Sequence, residues 1–207
     1  MADTPQEIFV SCLEDQICVR VVGRVTFQDS QLLQQFASEM IEQGKKEFVI
    51  DLGQCQGMDS TFLGVLAGIG LRLREIGRTA ALQIVNISGR QMELLRTLGL
   101  DRLFNIKAGA GPLPNSDKFH PLPDGNAAQR AHPFTKDEAA SLILEAHENL
   151  IRADERNARQ FKELVKSLRE AVKRARARGE SKRRERRRHP TKPGPDASNC
   201  MEEGYRE

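Results

Sequence analysis

The sequence contains no tryptophan and one tyrosine, Tyr205, and none of its four histidines lies within the first 107 residues. That part of the chain therefore has no imidazole for general acid–base chemistry or for a catalytic triad. It also has no Gly-x-Ser-x-Gly elbow and no His-Glu-x-x-His pair. These absences favour a domain that binds over one that catalyses, and we predict no catalytic residues, no cofactor and no metal site.

Long apolar runs and paired cysteines are also lacking. The longest apolar run, Phe62 to Leu71, is too short to cross a bilayer, and the chain opens with Met1-Ala2-Asp3 rather than with a basic and then apolar leader. We therefore expect a cytoplasmic protein that does not associate with membranes. The cysteines show neither Cys-x-x-Cys spacing nor clustering with histidine, which predicts reduced thiols at Cys12, Cys18, Cys55 and Cys200.

Positive charge is concentrated in one segment. Residues 152–188 hold 16 Lys/Arg and 6 Asp/Glu, whereas the rest of the chain holds 16 and 23. Such a segment could neutralise phosphates on nucleic acid, with an affinity that falls steeply as salt is added. It could equally be a solvated helical face, or contact the acidic remainder of the chain. Because no aromatic side chain lies between Lys162 and Pro190 to stack on bases, sequence-specific binding is not expected.

Residues 1–107 alternate between strand-like and helix-like segments. Two β-rich runs, Ile8 to Leu13 and Ile17 to Val22, predict an opening β-hairpin. The patterns that follow predict three helices, which begin at Asp29-Ser30, at Ser60 and after Ser88, and three strands, over 48–52, 81–87 and 103–106. This order predicts an α/β fold, a small mixed sheet with helices mainly on one face.

The central stretch places a hydroxyl at the start of a buried helix. The strand Phe48 to Leu52 leads into a predicted loop, residues 53–58, and then into a helix that Asp59 and Ser60 open. Side-chain oxygens there accept from the free N–H groups of the first turn, and the positive end of the helix dipole tolerates a phosphate. Ser60 is thus a candidate phosphorylation site, with Thr61 as the fallback. The alternative is that Asp59 and Ser60 only cap the helix.

The string Met58-Asp59-Ser60-Thr61-Phe62-Leu63-Gly64, set between the strands at 48–52 and 81–85, resembles the STAS domain of bacterial anti-anti-sigma factors. The resemblance covers roughly residues 7 to 107. It implies that the serine after the aspartate, here Ser60, is phosphorylated by an anti-sigma factor serine kinase and reset by a phosphatase. It also implies that this partner is bound through the helix entrance, formed by Met58, Asp59, Ser60, Thr61 and Phe62.

We therefore expect a non-enzymatic regulator that binds an anti-sigma factor kinase when unphosphorylated and so frees a sigma factor. A phosphate adds about 1.5 to 2 negative charges, so phosphorylation of Ser60 would switch that binding off. A second hypothesis is a scaffold or ligand-sensing STAS module with a fixed partner and helix-driven assembly. The third hypothesis is non-specific association of the basic tail, through residues 173–188, with nucleic acid.

The second half of the chain predicts an extension. Residues 108–134 are rich in proline and glycine, which indicates a linker or a surface loop. Thr135 and Glu138 form a capping box, which predicts the start of one long amphipathic helix over 135–178. The apolar seam of this helix could support docking or self-association, but His147, Asp154 and Asn157 interrupt it. We expect His147 to be solvated, and residues 179–207 to form a basic and then disordered tail.

Overall fold

The computed structural model describes residues 7–77, 81–107, 109, 111, 113, 118–122 and 135–188, with side chains as far as residue 178. Six strands are present in this part of the chain: β1 (Glu7–Leu13), β2 (Gln16–Val25), β3 (Glu47–Met58), β4 (Ala81–Val85), β5 (Asn105–Lys107) and β6 (His120–Pro121). Five helices accompany them: α1 (Phe27–Glu42), α2 (Ser60–Ile76), α3 (Gly89–Thr97), α4 (Lys136–Ala153) and α5 (Ala158–Arg188).

The strands form one mixed sheet in the order β5-β4-β3-β2-β1-β6. Strands β2 to β5 are parallel neighbours, because a helix or helical turn carries the chain back between consecutive strands. Strand β1 is antiparallel to β2, as the predicted hairpin requires, and β6 adds an antiparallel edge. The predicted α/β class is therefore confirmed, and β3 lies inside the sheet with its carboxyl end aimed at the start of α2.

The two faces of the sheet differ in what covers them. Alternate side chains of the strands, including Ile17, Ile50 and Ile84, join those of the helices in one large core. On the opposite face, a smaller cluster brings together the strand residues Cys18, Val49 and Val85 and the side chain of Leu113. The helices thus pack mainly on one face, as the sequence predicts.

Helix α1 begins earlier than predicted. Its N-cap is Thr26, not Asp29 or Ser30. The Asp29 carboxylate instead accepts from the backbone N–H of Thr26 at 2.8 Å and completes a capping box, while Ser30 is buried in the first turn. Asp29 is therefore a capping-box residue at the third helical position.

The predicted loop over 53–58 is wrong, because β3 continues through it to Met58. This segment pairs with the second half of β2, with register shifts that mark bulges. Its glycine and glutamine residues resemble a loop in sequence, but strand pairing satisfies their backbone groups. The longer strand carries the chain directly to Asp59.

The long helix predicted over 135–178 is also wrong in one respect, because the extension folds as two helices. The capping box at Thr135 and Glu138 starts α4 as predicted, but α4 ends at Ala153 and Asp154 has an extended backbone (φ −151°, ψ 117°). After a short helical turn, α5 runs back along α4 and continues as a helix to Arg188. We call α4 and α5 the helical hairpin. The predicted disorder from residue 189 lies outside the described residues.

Two further expectations concern thiols and membranes. Cys12 is free and exposed, Cys18 and Cys55 are free and buried, and Cys200 lies outside the described residues. Burial raises the pKa of both the Cys18 and the Cys55 thiols, which lowers their thiolate content and their reactivity. No described helix is both long enough and apolar enough to cross a membrane.

Candidate functional site

Asp59 joins the starts of two helices. One of its carboxylate oxygens accepts from the backbone N–H of Phe62 at 2.8 Å, which makes Asp59 the N-cap of α2. The other oxygen accepts from the backbone N–H of Phe27 at 2.8 Å, at the first position of α1. Both oxygens are thus used within the fold, and Asp59 fixes the position of the neighbouring Ser60.

Ser60 is half-buried and contacts a histidine that lies 87 residues further along the chain. Its Oγ is 3.0 Å from Nε2 of His147 on α4. Nδ1 of the same ring is 2.7 Å from the carbonyl oxygen of Ile143, which can only accept. In the neutral ring, therefore, Nδ1 carries the hydrogen and Nε2 accepts from the Ser60 hydroxyl.

The prediction that His147 is solvated is wrong, since only 2% of this residue is exposed. Its ring packs edge-on against Phe161 of α5, with 4.9 Å between the ring centroids. The sequence carried a signal of this, because His147 lies between apolar positions of the seam that packs inward. The residue that contacts Ser60 therefore belongs to the extension and not to the domain that carries Ser60.

Glycines allow α4 to lie directly against α2. A Cβ atom added at Gly64 would overlap the carbonyl oxygen of Ala146 and lie 2.7 Å from the Ala146 Cβ. A Cβ atom added at Gly68 would lie 2.5 Å from Nδ2 of Asn149. Two glycines four residues apart lie on the same helix face, a pattern that lets another helix backbone approach closely. The spacing was visible in the sequence, but its partner was not.

Ionic and apolar contacts hold the hairpin together and fix it to the domain. Arg152 of α4 pairs with Glu75 of α2 at 3.0 Å, and Arg169 of α5 pairs with Glu148 of α4 at 2.8 Å. Five apolar side chains of the hairpin face inward and join the main core: Leu142, Ala146, Leu150, Phe161 and Val165. The seam predicted to support self-association over 135–178 is thus largely used within the chain, and of its large apolar residues only Leu164 is exposed.

The turn of the hairpin is anchored beside α3. Asn157 is buried, and its side-chain amide donates to the carbonyl oxygens of Leu98 at 2.9 Å and Leu150 at 2.8 Å. Asp154 accepts from the side chain and backbone of Arg156, and these hydrogen bonds lower the pKa of Asp154 to about 2. Two of the three residues that interrupt the apolar seam, Asp154 and Asn157, therefore make the turn.

The structure separates the other predicted partner-binding residues. Phe62 is fully buried and Thr61 is 5% exposed, so neither is available to a partner or a kinase in this conformation. Met58 and Asp59 are half-buried and line an open cleft of about 480 Å³ between the β2 and β3 ends and α3, which Arg90 also lines. Of the predicted set, Met58, Asp59 and Ser60 therefore remain at the surface.

Residues 9–106 match a family model described as "Mlab, STAS domain". This range covers the sheet from β1 to β5, the helices α1 to α3 and the Asp59-Ser60 entrance of α2. Residues 9–106 are a STAS domain. The helical hairpin lies outside the matched residues and packs on helix α2 of the STAS domain.

Several solved structures are similar to this chain. An anti-sigma factor antagonist from Mycobacterium paratuberculosis is 21% identical, with 59% of this chain and 92% of that chain covered and a TM-score of 0.42. Bacillus SpoIIAA in its phosphorylated form is 14% identical, with 60% and 99% covered and a TM-score of 0.44. TM1081 from Thermotoga maritima is 16% identical, with 47% and 82% covered and a TM-score of 0.43. No curated protein sequence matches the chain significantly.

Proposed function

We propose that this protein is a non-enzymatic regulator of the anti-anti-sigma type, which binds an anti-sigma factor kinase when Ser60 is unphosphorylated. The observation that carries the proposal is the position of Ser60, one residue after the α2 N-cap and next to an open cleft of a STAS domain. Binding a kinase at this entrance would bring its active site to the hydroxyl that it modifies.

The cleft provides the surface for such a partner. Its lining combines the apolar Met58 with the guanidinium of Arg90 and the backbone of Gly57, which suits a protein surface of mixed polarity. Asp59 is held by two backbone N–H groups and so presents its neighbour in a fixed orientation. A phosphate on Ser60 would place about 1.5 to 2 further negative charges beside the Asp59 carboxylate and weaken contact with an acidic or closely packed partner. A phosphatase would then restore binding.

A comparison of two variants tests this function. Tagged chain carrying Ser60→Ala or Ser60→Asp is expressed in its native cells, and the proteins that co-purify with it are identified and quantified by mass spectrometry. We expect an anti-sigma factor kinase with Ser60→Ala and its loss with Ser60→Asp. Equal recovery of the same partner with both variants, or recovery of no kinase of this class, would overturn the switch.

One observation favours the scaffold hypothesis as the second candidate. Ser60 already has an internal hydrogen-bond partner in His147, and the residue is half-buried under α4. In a scaffold this contact would be permanent, and the STAS domain would bind a fixed partner or small molecule elsewhere. The two functions differ in the pull-down, because a scaffold retains its partner when Ser60 becomes Asp.

Nucleic-acid association is the third candidate, and the length and exposed basic side chains of α5 support it. Helix α5 continues to Arg188, and its basic side chains Lys166, Lys173, Arg174, Arg176 and Arg178 are exposed. A charged helix of this kind fits the phosphates of a polyanion without reading its sequence.

A further inference from the structure

We propose that docking of the helical hairpin and phosphorylation of Ser60 exclude each other, so that the hairpin is the element that the modification moves. This inference rests on the proposed function in one respect only, namely that Ser60 is the modified residue. Its physical basis is the contact between Ser60 and His147, together with the close packing of α4 on α2.

In the docked hairpin, the space along the Ser60 O–H bond is occupied by the His147 ring. The Ser60 Oγ and His147 Nε2 are 3.0 Å apart, which is the length of one hydrogen bond. His147 cannot turn aside freely, because Nδ1 is held by the Ile143 carbonyl and the ring edge meets Phe161. Close packing of Ala146 on Gly64 also fixes the position of α4 on α2, so the helix cannot slide aside while it stays docked. With Oγ in this orientation, a phosphate on Ser60 would therefore displace His147 and the part of α4 that carries it.

The surroundings also disfavour the charge. The contacts of the His147 ring are a hydroxyl, a carbonyl oxygen and an aromatic edge, none of which carries a positive charge. Asp59, the residue before Ser60, already places a carboxylate at the start of α2. A phosphoserine in an apolar interface next to a carboxylate disrupts that interface through desolvation and like-charge repulsion. Protonation of His147 would balance only one of the added charges.

The coupling acts in both directions. If phosphate on Ser60 disfavours docking, then docking disfavours phosphorylation by the same factor in equilibrium terms. The docked hairpin would shield Ser60 from a kinase, and phosphate would hold the hairpin open. Opening would expose the α2 face that contains Gly64 and Gly68, a surface shaped to receive another helix. The modification would then both close one binding surface and open another.

Biosynthetic incorporation of phosphoserine at position 60 tests this coupling without any kinase. Hydrogen exchange of the full-length chain is followed by mass spectrometry, and phosphoserine at position 88 is the matched control. Ser88 also starts a helix, is exposed, and lies outside the hairpin contact. We expect amides of residues 136–153 to exchange about tenfold faster or more with phosphate at 60 and at the native rate with phosphate at 88. Equal protection in the two proteins would overturn the inference.

A second measurement covers the case in which phosphoserine 60 unfolds the whole chain. The variant Ser60→Cys is made in a Cys12→Ser background, and its modification by a maleimide is read by peptide mass spectrometry at residue 60. If the hairpin shields this site, adding Gly64→Ala should raise the labelling rate about tenfold. An unchanged rate would refute the shielding.

The two proposals fail in different ways. If the hairpin opens with phosphoserine at 60 but Ser60 is never phosphorylated in cells, the coupling is supported and the proposed function is contradicted. If Ser60 is phosphorylated in cells but the α4 amides stay protected from hydrogen exchange with phosphoserine at 60, the proposed function is supported and the coupling is contradicted.

Discussion

Replacing Gly64 by alanine should separate α4 from α2. The added methyl group would overlap the Ala146 carbonyl oxygen and lie 2.7 Å from the Ala146 Cβ, whereas ordinary contacts begin at 3.4 Å. The obstructing atoms belong to the helix backbone and to a Cβ, so no flexible side chain can yield. The hairpin must therefore shift as a body or leave the surface of α2.

The size of the effect follows from two opposing contributions. Overpacking of a well-packed contact costs about 1–3 kcal/mol. Alanine is a better helix former than glycine by about 0.5–1 kcal/mol, which offsets part of that cost. We expect a net loss of about 1–2 kcal/mol in the free energy of unfolding. For a chain of this size, that corresponds to a fall in Tm of roughly 2–8 °C.

Urea denaturation and hydrogen exchange measure this effect together. Gly89→Ala is the control, because it makes the same chemical change in the first turn of α3 at a position where an added Cβ meets nothing within 4 Å. We expect Gly64→Ala to be the less stable variant, with increased exchange in residues 136–153 and little change in β3. If the two variants are equally stable and α4 stays protected in both, the described contact between α2 and α4 is wrong.

Three further predictions concern the hairpin and its basic helix. Asn157→Ala removes the side-chain donor of the buried Leu98 carbonyl and one of the two donors of the Leu150 carbonyl, which also accepts from the backbone N–H of Asp154. It should cost about 1–3 kcal/mol in urea denaturation, whereas a change confined to a few tenths would contradict this anchoring. Hydrogen bonds from Arg156 hold the pKa of Asp154 at about 2 in the folded chain, below its ordinary 3.8, so the free energy of unfolding should fall as the pH falls through this range. Asp154→Asn should lose this part of the acid dependence. If the free energy of unfolding falls in parallel with pH in the two proteins, the prediction is contradicted. In the nucleic-acid hypothesis, random-sequence duplex DNA binds through residues 173–188, and its fluorescence anisotropy falls between about 50 and 200 mM salt. Absence of binding at about 50 mM salt, or binding that survives both the salt and serine replacement of those Lys/Arg residues, would contradict it.

Local patterns were sufficient to predict most of the STAS domain. Two short runs of apolar, β-rich residues located β1 and β2, and an aspartate before a long apolar run located the start of α2. The Thr135–Glu138 capping box predicted the start of α4 for the same reason, since a cap is made by residues three apart. Strand runs and helix caps involve residues that are close together in the sequence, so a short stretch of sequence is enough to predict them.

Interactions between distant segments decided what the patterns could not. Residues 53–58 contain glycine and glutamine and resemble a loop, yet pairing with β2 extends β3 through them. The helix over 135–178 looked continuous because Asp154 and Asn157 are common on helix surfaces, whereas here they make a turn that contacts Leu98. Helix propensity is a weak preference that such tertiary contacts override.

At the candidate site, too, local sequence predicted some features and contacts between distant segments determined others. Ser60 and Asp59 were predicted from their place before a buried helix, and the structure puts both at the entrance of α2. The contact with His147 joins residues 87 positions apart, and no local pattern specifies it. The proposed phosphorylation surface is therefore partly covered by the chain's own extension, a feature that sequence resemblance over the first 107 residues could not contain.

The location of phosphate on the protein from its native cells tests the central claim most directly. Untagged chain is isolated with phosphatase inhibitors present, and its peptides are sequenced by tandem mass spectrometry alongside those of a Ser60→Ala strain. The proposed function predicts phosphate on Ser60 and none on this region in Ser60→Ala. Phosphate carried only at other residues, or none when the partner kinase is active, would contradict it.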